Sequence, residues 1–569
     1  MSRLFEVSTK RRSECLDGFW RFQTDPQDRG ECEGWYNGLP AGEICAVPSV
    51  WNCDLSLLQY EGAAFYQREL YTDGGTLRFC FEGVMTDATV WLDDMLIGSH
   101  YGGFCEFDCI APNVSAGHHR LTVRADNRFH KTSIPQKNVD WYHYGGITRH
   151  VRVEQLHGVC VLNDQLHYDL ELAARRARCH FVLELYNAED HPVTAPLTAR
   201  VGDRTVVEAT VSLGAGERIE WRSPTFVLED LRLWDVSDPY LYKIEITTQT
   251  DSLCDRTGFR TVEVREGALL LNGRPIELRG VNRHEVHPDF GMAFPEALMK
   301  RDLDIIGDLG CNTVRGSHYP NAQSFVDMLD ARGLLFWSEI PIWGWGFSLE
   351  ALSDPAVIAR GLEMHREMVK YYFNHPSVII WGMHNEIHTE SPASLEMSKL
   401  YYTYLKQNGG GRIVTYATDK ISKGDLCLSY CDVVSINAYH GWYSGNVESW
   451  GGFLQEIRDR LTEASVAHKP VIISEFGAAA LYGQHTFDHI PWTEEYQADL
   501  LASCIELFHA DPTVVGYYIW QFCDIRTCPQ MGLNRARGFN NKGILNEYRK
   551  PKAAYHAVKA LYRRFAKEE

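Results

Sequence analysis

The sequence predicts two β-sandwiches followed by a (β/α)8 barrel, and three observations carry that expectation. Apolar residues alternate with period two through roughly the first 260 positions, the period lengthens to that of a helix after about residue 268, and eight short apolar runs then recur with helix-sized gaps between most of them. A chain of 569 residues has room for about three to four domains. The boundaries expected from these changes of texture are 1–154, 155–265 and 266–569.

In the first segment Leu77, Phe79 and Phe81 alternate, as do Val90 and Leu92, then Leu121, Val123 and Ala125. Asp93-Asp94 interrupts one apolar run as a hairpin turn does, and Trp20, Phe22, Trp35 and Trp51 offer the volume of a sandwich core. The second segment repeats the texture with Phe181, Leu183 and Leu185, then Tyr242, Ile244 and Ile246; its length of roughly 100 residues suits an immunoglobulin-like sandwich. In the third, a helical pattern such as Met299, Leu303, Ile306 with Gly310 behind it alternates with the eight runs. These are Ile276–Asn282, Cys311–Ser317, Leu334–Ile340, Val378–Glu386, Arg412–Asp419, Asp432–Tyr439, Pro470–Gly477 and Val514–Phe522.

Composition narrows the function. Lys and Arg number 56 against 75 Asp and Glu, a net charge of −19, which disfavours nucleic acid and anionic membranes as partners because phosphate binding needs a basic surface. The opening MSRLFEVSTKRR has no apolar core behind it, and no stretch approaches about 18 uninterrupted apolar residues. Sixteen cysteines scattered from Cys15 to Cys528, without metal-ligand spacing, fit reduced thiols in a cytoplasm and no zinc site.

Barrel chemistry gathers at the C-terminal ends of strands. The fourth run closes as VIIWGMHNE at Asn385 and Glu386, and the seventh, PVIISEFG, sets Glu475 behind an apolar strand. Strands four and seven lie nearly across the barrel mouth, so the two carboxylates can face each other over a substrate as in a retaining glycosidase. Asn385 adds an amide suited to a sugar 2-hydroxyl. A single strand-end glutamate is more often a solvated residue; the pair is what points to chemistry.

These residues carry a resemblance. LDGFWRF (16–22), VPSVWN (47–52), FYQREL (65–70), YGGF (101–104), HYGGITRHV (143–151), LWDVSDPYLY (233–242), RGVNRHEVHP (279–288), SHYPNA (317–322), NHPSVIIWGMHNE (374–386), INAYHGWY (436–443) and PVIISEFG (470–477) follow one another in family order. Almost the whole chain resembles glycoside hydrolase family 2, most closely its β-glucuronidase branch. The resemblance implies that the first domain is a sugar-binding-like jelly roll and that the activity is double-displacement hydrolysis of β-D-glucuronides. It makes Glu386 the general acid/base, Glu475 the nucleophile and Tyr439 the residue that steadies it.

GFNNKGI (538–544) matches the branch's Asn-x-Lys signature through Asn540 and Lys542, a donor and a cation for the sugar carboxylate. Asp140, His318, Asn437, Tyr443 and Trp520 align with residues lining the family's sugar site. The branch carries an arginine four positions before that Asn, where this chain has Ala536 between Arg535 and Arg537; Arg537 enters the candidate set and Arg535 stays an open alternative. NRHE (282–285) is similar to β-galactosidases, so a β-galactosidase or β-galacturonidase remains the alternative within the enzyme class, and an inert carbohydrate-binding protein the alternative outside it. No cofactor is expected for catalysis. A homo-oligomer, often a tetramer in the family, is implied.

Overall fold

The computed structural model describes residues 3–344 and 346–568. The first domain is a sandwich of two antiparallel sheets. Its four-stranded sheet runs Arg12–Cys15, Val151–Leu156, Gly75–Phe81, Phe107–Val114, and its six-stranded sheet runs Glu43–Val47, Gly18–Asp25, Ala63–Thr72, Gly117–Asp126, Asp87–Leu92, Met95–Tyr101. The alternating residues meet between the sheets: Leu77, Phe79 and Phe81 share one buried cluster with Val90, Leu92, Leu121, Val123 and Ala125. Asp93 and Asp94 form the turn of the hairpin between the last two strands, with Asp93 at φ 55°. Trp20, Phe22 and Trp51 join that core, whereas Trp35 packs on the opposite face of the six-stranded sheet, edge-on to Phe65 at 5.6 Å. An aromatic count cannot tell which face of a sheet a loop folds over.

The second domain pairs two antiparallel sheets, Val159–Glu171, Arg176–Asn187, Arg218–Arg222 against Arg204–Leu213, Val193–Val201, Tyr242–Thr248, Ser252–Thr257. Phe181, Leu183, Leu185, Ile244 and Ile246 are fully buried between them; Tyr242 is half-buried at the edge.

Eight parallel strands then close a barrel in chain order: Leu278–Arg283, Thr313–Gly316, Leu335–Glu339, Val378–Asn385, Ile413–Thr418, Val434–Asn437, Val471–Phe476 and Val514–Ile519. Each falls on one of the eight apolar runs. The first helix, Glu296–Leu309, buries Met299, Leu303 and Ile306 and ends at Gly310, whose φ of 93° is the left-handed cap that glycine adopts freely. A three-stranded sheet, Val262–Arg265, Ala268–Leu271 and Arg274–Pro275, closes the end where the strands begin, burying Val262, Leu269 and Leu271 with Trp234, Leu278, Leu335 and Ile472. That leaves the opposite end, where the strands finish, as the open mouth. Among the described residues no helix is long and apolar enough to cross a membrane.

Two segments roof the mouth. One comes from the first domain: Trp141 packs against His284, His318 and Trp343 of the barrel, all at 5.6 Å between ring centres, and carries its neighbour Asp140 inward. The other is the chain after the eighth strand, pinned by a fully buried ion pair. Lys552 Nζ donates to Asp524 Oδ1 at 2.8 Å and to the carbonyls of Ala480 and Asn541 at 2.7 and 3.1 Å, while Asp524 Oδ1 also accepts the Gly543 N–H at 3.0 Å.

Removing one partner of a buried pair strands the other without compensation, at a cost of about 3–5 kcal/mol, against under about 1 kcal/mol for an exposed pair. Lys552→Met should therefore lower the urea midpoint far more than Lys559→Met, whose partner Asp308 is exposed. Equal midpoints for the two variants would contradict the account of this strap.

Candidate active site

Glu386 follows the fourth barrel strand directly, and Glu475 is the fifth residue of the seventh. The apolar stretch before each fixes the strand in the wall, so the polar residue that ends it must emerge at the mouth. Glu386 sits at φ 52°, a left-handed conformation that costs a non-glycine residue about 1–3 kcal/mol. Its N–H bonds the Ala417 carbonyl of the neighbouring strand at 2.9 Å, which holds the strained residue in place.

The two carboxyl groups have different surroundings. Glu475 Oε1 accepts from Arg315 Nη1 at 3.0 Å and Oε2 accepts from the Tyr439 hydroxyl at 2.6 Å. Burial pushes the Glu475 carboxyl up to about 7, against the pull of Arg315 and Tyr439. Among the described residues no cation bonds Glu386, which Lys420 reaches only through its field; Asn437 Nδ2 donates to its Oε1 at 2.8 Å and to Asn385 Oδ1 at 3.0 Å. Burial and the nearby charge of Glu475, with Asp419 behind it, push Glu386 up to about 8. Tyr439 is held well above the ordinary phenol range by burial and by both glutamates, so its hydroxyl stays a donor to Glu475.

Beneath the pair lies Arg315, fully buried, which donates to Glu339 through Nε at 3.0 Å and Nη2 at 2.9 Å and to Asn385 Oδ1 at 2.8 Å. Gly382 of the fourth strand makes room for this group, since a Cβ there would lie 2.5 Å from Glu339 Cβ. His318 Nδ1 lies 2.6 Å from Glu339 Oε1, and burial together with Arg315 keeps its imidazole neutral. The carboxylate assigns the proton to Nδ1 and leaves Nε2 as an acceptor. Among the described residues neither His318 Nε2 nor Asn385 Nδ2, both buried, has a hydrogen-bond partner. Trp520, after the eighth strand, stacks on His318 at 5.1 Å.

A cationic corner flanks Tyr439. Lys542 is 2 % exposed, donates to the Tyr443 hydroxyl at 2.7 Å and, among the described residues, pairs with no carboxylate. Arg535 Nη1 reaches the same hydroxyl at 3.2 Å and its Nε bonds Asp140 Oδ1 at 3.1 Å. Asn540, fully buried, donates to Asp140 Oδ2 at 2.9 Å and accepts the Lys542 N–H at 3.2 Å, fixing the lysine's direction.

Thus Glu386, Glu475, Tyr439, Asn385, His318, Asn437, Trp520, Tyr443, Asn540, Lys542 and Asp140 converge on one mouth, and Arg537 does not. Its φ of 62° turns it outward, where it is half-exposed and pairs with Glu547 at 2.9 Å and Asn541 Oδ1 at 3.0 Å. Arg535 takes the inward direction instead. The sequence shows two arginines around Ala536 and nothing of the turn that sends them opposite ways. Arg315 and Glu339 were also missed, although signals existed: Arg315 is a charge inside an apolar run, and LLFWSEI carries Glu339 one place from its end much as VIISEF carries Glu475.

The described group with metal-ligand spacing, Asp327, Asp330 and His375, lies away from this mouth, before the fourth strand. Its acids are already engaged, Asp327 by Arg3 at 2.8 Å and Asp330 by the Ser377 N–H at 2.9 Å.

Known proteins agree with this architecture. Residues 262–567 match the family model for the glycosyl hydrolases family 2 TIM barrel domain, and residues 162–260 match a second glycosyl hydrolases family 2 model. A β-glucuronidase of Streptococcus agalactiae is 26 % identical, with 96 % of each chain covered, and the Homo sapiens β-glucuronidase is 27 % identical over 99 % of this chain and 92 % of its own. The solved structure of a β-galacturonidase from Eisenbergiella tayi bound to galacturonate superposes with a TM-score of 0.92 at 32 % identity, covering 99 % of each chain. That of the Ruminococcus gnavus β-glucuronidase in complex with D-glucuronic acid gives 0.86 at 28 % identity, over 98 % of this chain and 99 % of that one. With its barrel model matched over more than half its length, the chain belongs to glycosyl hydrolases family 2.

Proposed function

We propose that this glycoside hydrolase is a retaining, exo-acting β-uronidase that cleaves β-D-glucuronides to glucuronate and an aglycone. The observation that carries the uronide is Lys542. A buried ammonium without an acid partner is costly, and a ligand carboxylate arriving between Lys542, Arg535 and the Tyr443 hydroxyl would offset that cost.

The chemistry follows from the unequal glutamates. Glu475, held by Arg315 and Tyr439, attacks the anomeric carbon while Glu386 gives its proton to the departing glycosidic oxygen. Esterification removes the Glu475 charge, which is one of the forces holding the Glu386 proton, so Glu386 then accepts a proton from the water that cleaves the ester. The unpartnered Asn385 Nδ2 and His318 Nε2 suit sugar hydroxyls as donor and acceptor. No cofactor has a part in these steps. The sixteen cysteines, all free thiols, support a reducing cytoplasm, and exposed Phe19, Leu55 and Phe487 are apolar surface that a homo-oligomer would cover.

A second reading, β-galacturonide hydrolysis, is favoured by the Eisenbergiella tayi enzyme at 32 % identity. The two substrates differ only at C4, away from the carboxylate that Lys542 would meet.

Three outcomes are expected. The kcat/KM profile should rise as Glu475 loses its proton at about 7 and fall as Glu386 loses its own at about 8, the two apparent values belonging to the coupled pair. A profile flat across that window would contradict these roles. Glu386→Gln and Glu475→Gln should each cost roughly 10²-fold or more in kcat/KM, and wild-type-like rates in either would refute the assignment. On nitrophenyl β-glucuronide, β-galacturonide and β-galactoside, Lys542→Met and Arg535→Ala should lower uronide turnover by about 10- to 100-fold without lowering any galactoside rate, whereas Arg537→Ala should leave all three unchanged. The wild-type ranking separates glucuronide from galacturonide, and a galactoside preference would overturn the uronide proposal.

A further inference from the structure

Tyr443 holds a position in which a hydroxyl competes with the substrate. Its oxygen accepts from Lys542 Nζ at 2.7 Å and from Arg535 Nη1 at 3.2 Å, and the same ammonium lies 4.8 Å from the centre of its ring. Much of the ring is exposed, so the hydroxyl lies at the boundary between the cationic corner and the open mouth. The uronide reading gives those two cations to the sugar carboxylate. Asp140 already pairs with Arg535, so one further full negative charge balances the corner, whether it comes from substrate or from protein.

We propose that Tyr443 is a titratable plug of the carboxylate subsite: as a phenol it donates its O–H to the incoming carboxylate, and as a phenolate it neutralises Lys542 and Arg535 and turns uronates away. The inference rests on the uronide reading. Its only chemical step is the loss of the phenol proton to solvent.

The surroundings favour that step. Burial pushes the Tyr443 phenol up, but Lys542 and Arg535 outweigh it and bring the phenol below the ordinary tyrosine range. Tyr439, on the same loop with its ring 5.4 Å away, is driven the opposite way by burial and the two glutamates and stays neutral. Asp140 is bound to Arg535 and Asn540, and His440 turns away to stack edge-on against Trp450 at 5.1 Å. Trp442, the remaining ring beside Tyr443 at 6.3 Å, carries no charge. Of these neighbours, only the two cations drive Tyr443 toward ionisation. Because binding needs the phenol, affinity is fully present below its pKa and falls above it by about tenfold per pH unit.

Titration calorimetry of D-glucuronate and D-galacturonate against the full chain, from neutral to alkaline pH and in buffers of different ionisation enthalpy, tests this. The wild type should lose affinity for the sugar it binds by about tenfold per alkaline pH unit and take up about one more proton per sugar than Tyr443→Phe does. That variant should bind about tenfold more weakly at neutral pH, through its lost O–H donor, and show a shallower alkaline fall. Titration of Glu386 and Glu475 is common to both proteins, so the difference between them isolates Tyr443. Matching alkaline slopes and proton uptake in the two proteins would overturn the plug. Unaltered uronate affinity in Lys542→Met, or no binding of either sugar to the wild type at neutral pH, would overturn the uronide reading instead.

Discussion

One fully buried guanidinium organises the floor of the barrel mouth. Arg315 meets Glu339 with two donors, Glu475 with a third and Asn385 alongside, so side chains from the second, third, fourth and seventh strands share a single charge. A lone carboxylate could not remain ionised in that low-dielectric setting; with Arg315 and the Tyr439 hydroxyl it can. The same contact withholds a cation from Glu386, whose amide partner Asn437 lowers its proton affinity less than burial and Glu475 raise it. The unequal electrostatics of the two carboxyl groups on opposite walls thus follow from which of them the guanidinium touches.

Two other buried cations show what distinguishes the one at the mouth. Lys552 is neutralised by Asp524, and Arg412 donates to the carbonyls of Gly409 and Phe373 at the ends of two helices, where a positive charge complements the helix dipole. Lys542 has a phenol oxygen and two aromatic faces. Its direction is fixed through Asn540, Asp140 and Arg535, a chain of contacts that joins the first domain to the barrel and makes the cationic corner depend on both.

Much of this was legible in the sequence because it depends on periodicity and on position along strands. The eight apolar runs became the eight staves, and Glu386 and Glu475 emerged at the mouth because each stands at or near the end of such a run. Asn540 and Lys542 were visible through their resemblance to a known signature. What escaped depends on backbone direction and on contacts distant in the chain. Arg535 and Arg537 look equivalent until a single left-handed residue turns one outward. Arg315 lay in plain view within CNTVRGS, but the acid and amide side chains it bonds, Glu339, Glu475, Asn385 and Asn282, lie 24 to 160 positions away, and no local pattern records them. Trp35 was assigned to a core it does not join because alternation predicts strand faces and says nothing of a loop crossing over them.

The most direct test of the central claim is a crystal structure with D-glucuronate or D-galacturonate bound. The sugar carboxylate should lie within hydrogen-bond reach of Lys542 Nζ and the Tyr443 hydroxyl, with the anomeric carbon facing Glu475 and its exocyclic oxygen toward Glu386. A sugar seated with its carboxylate toward solvent and Lys542 still bound only to Tyr443 would contradict it.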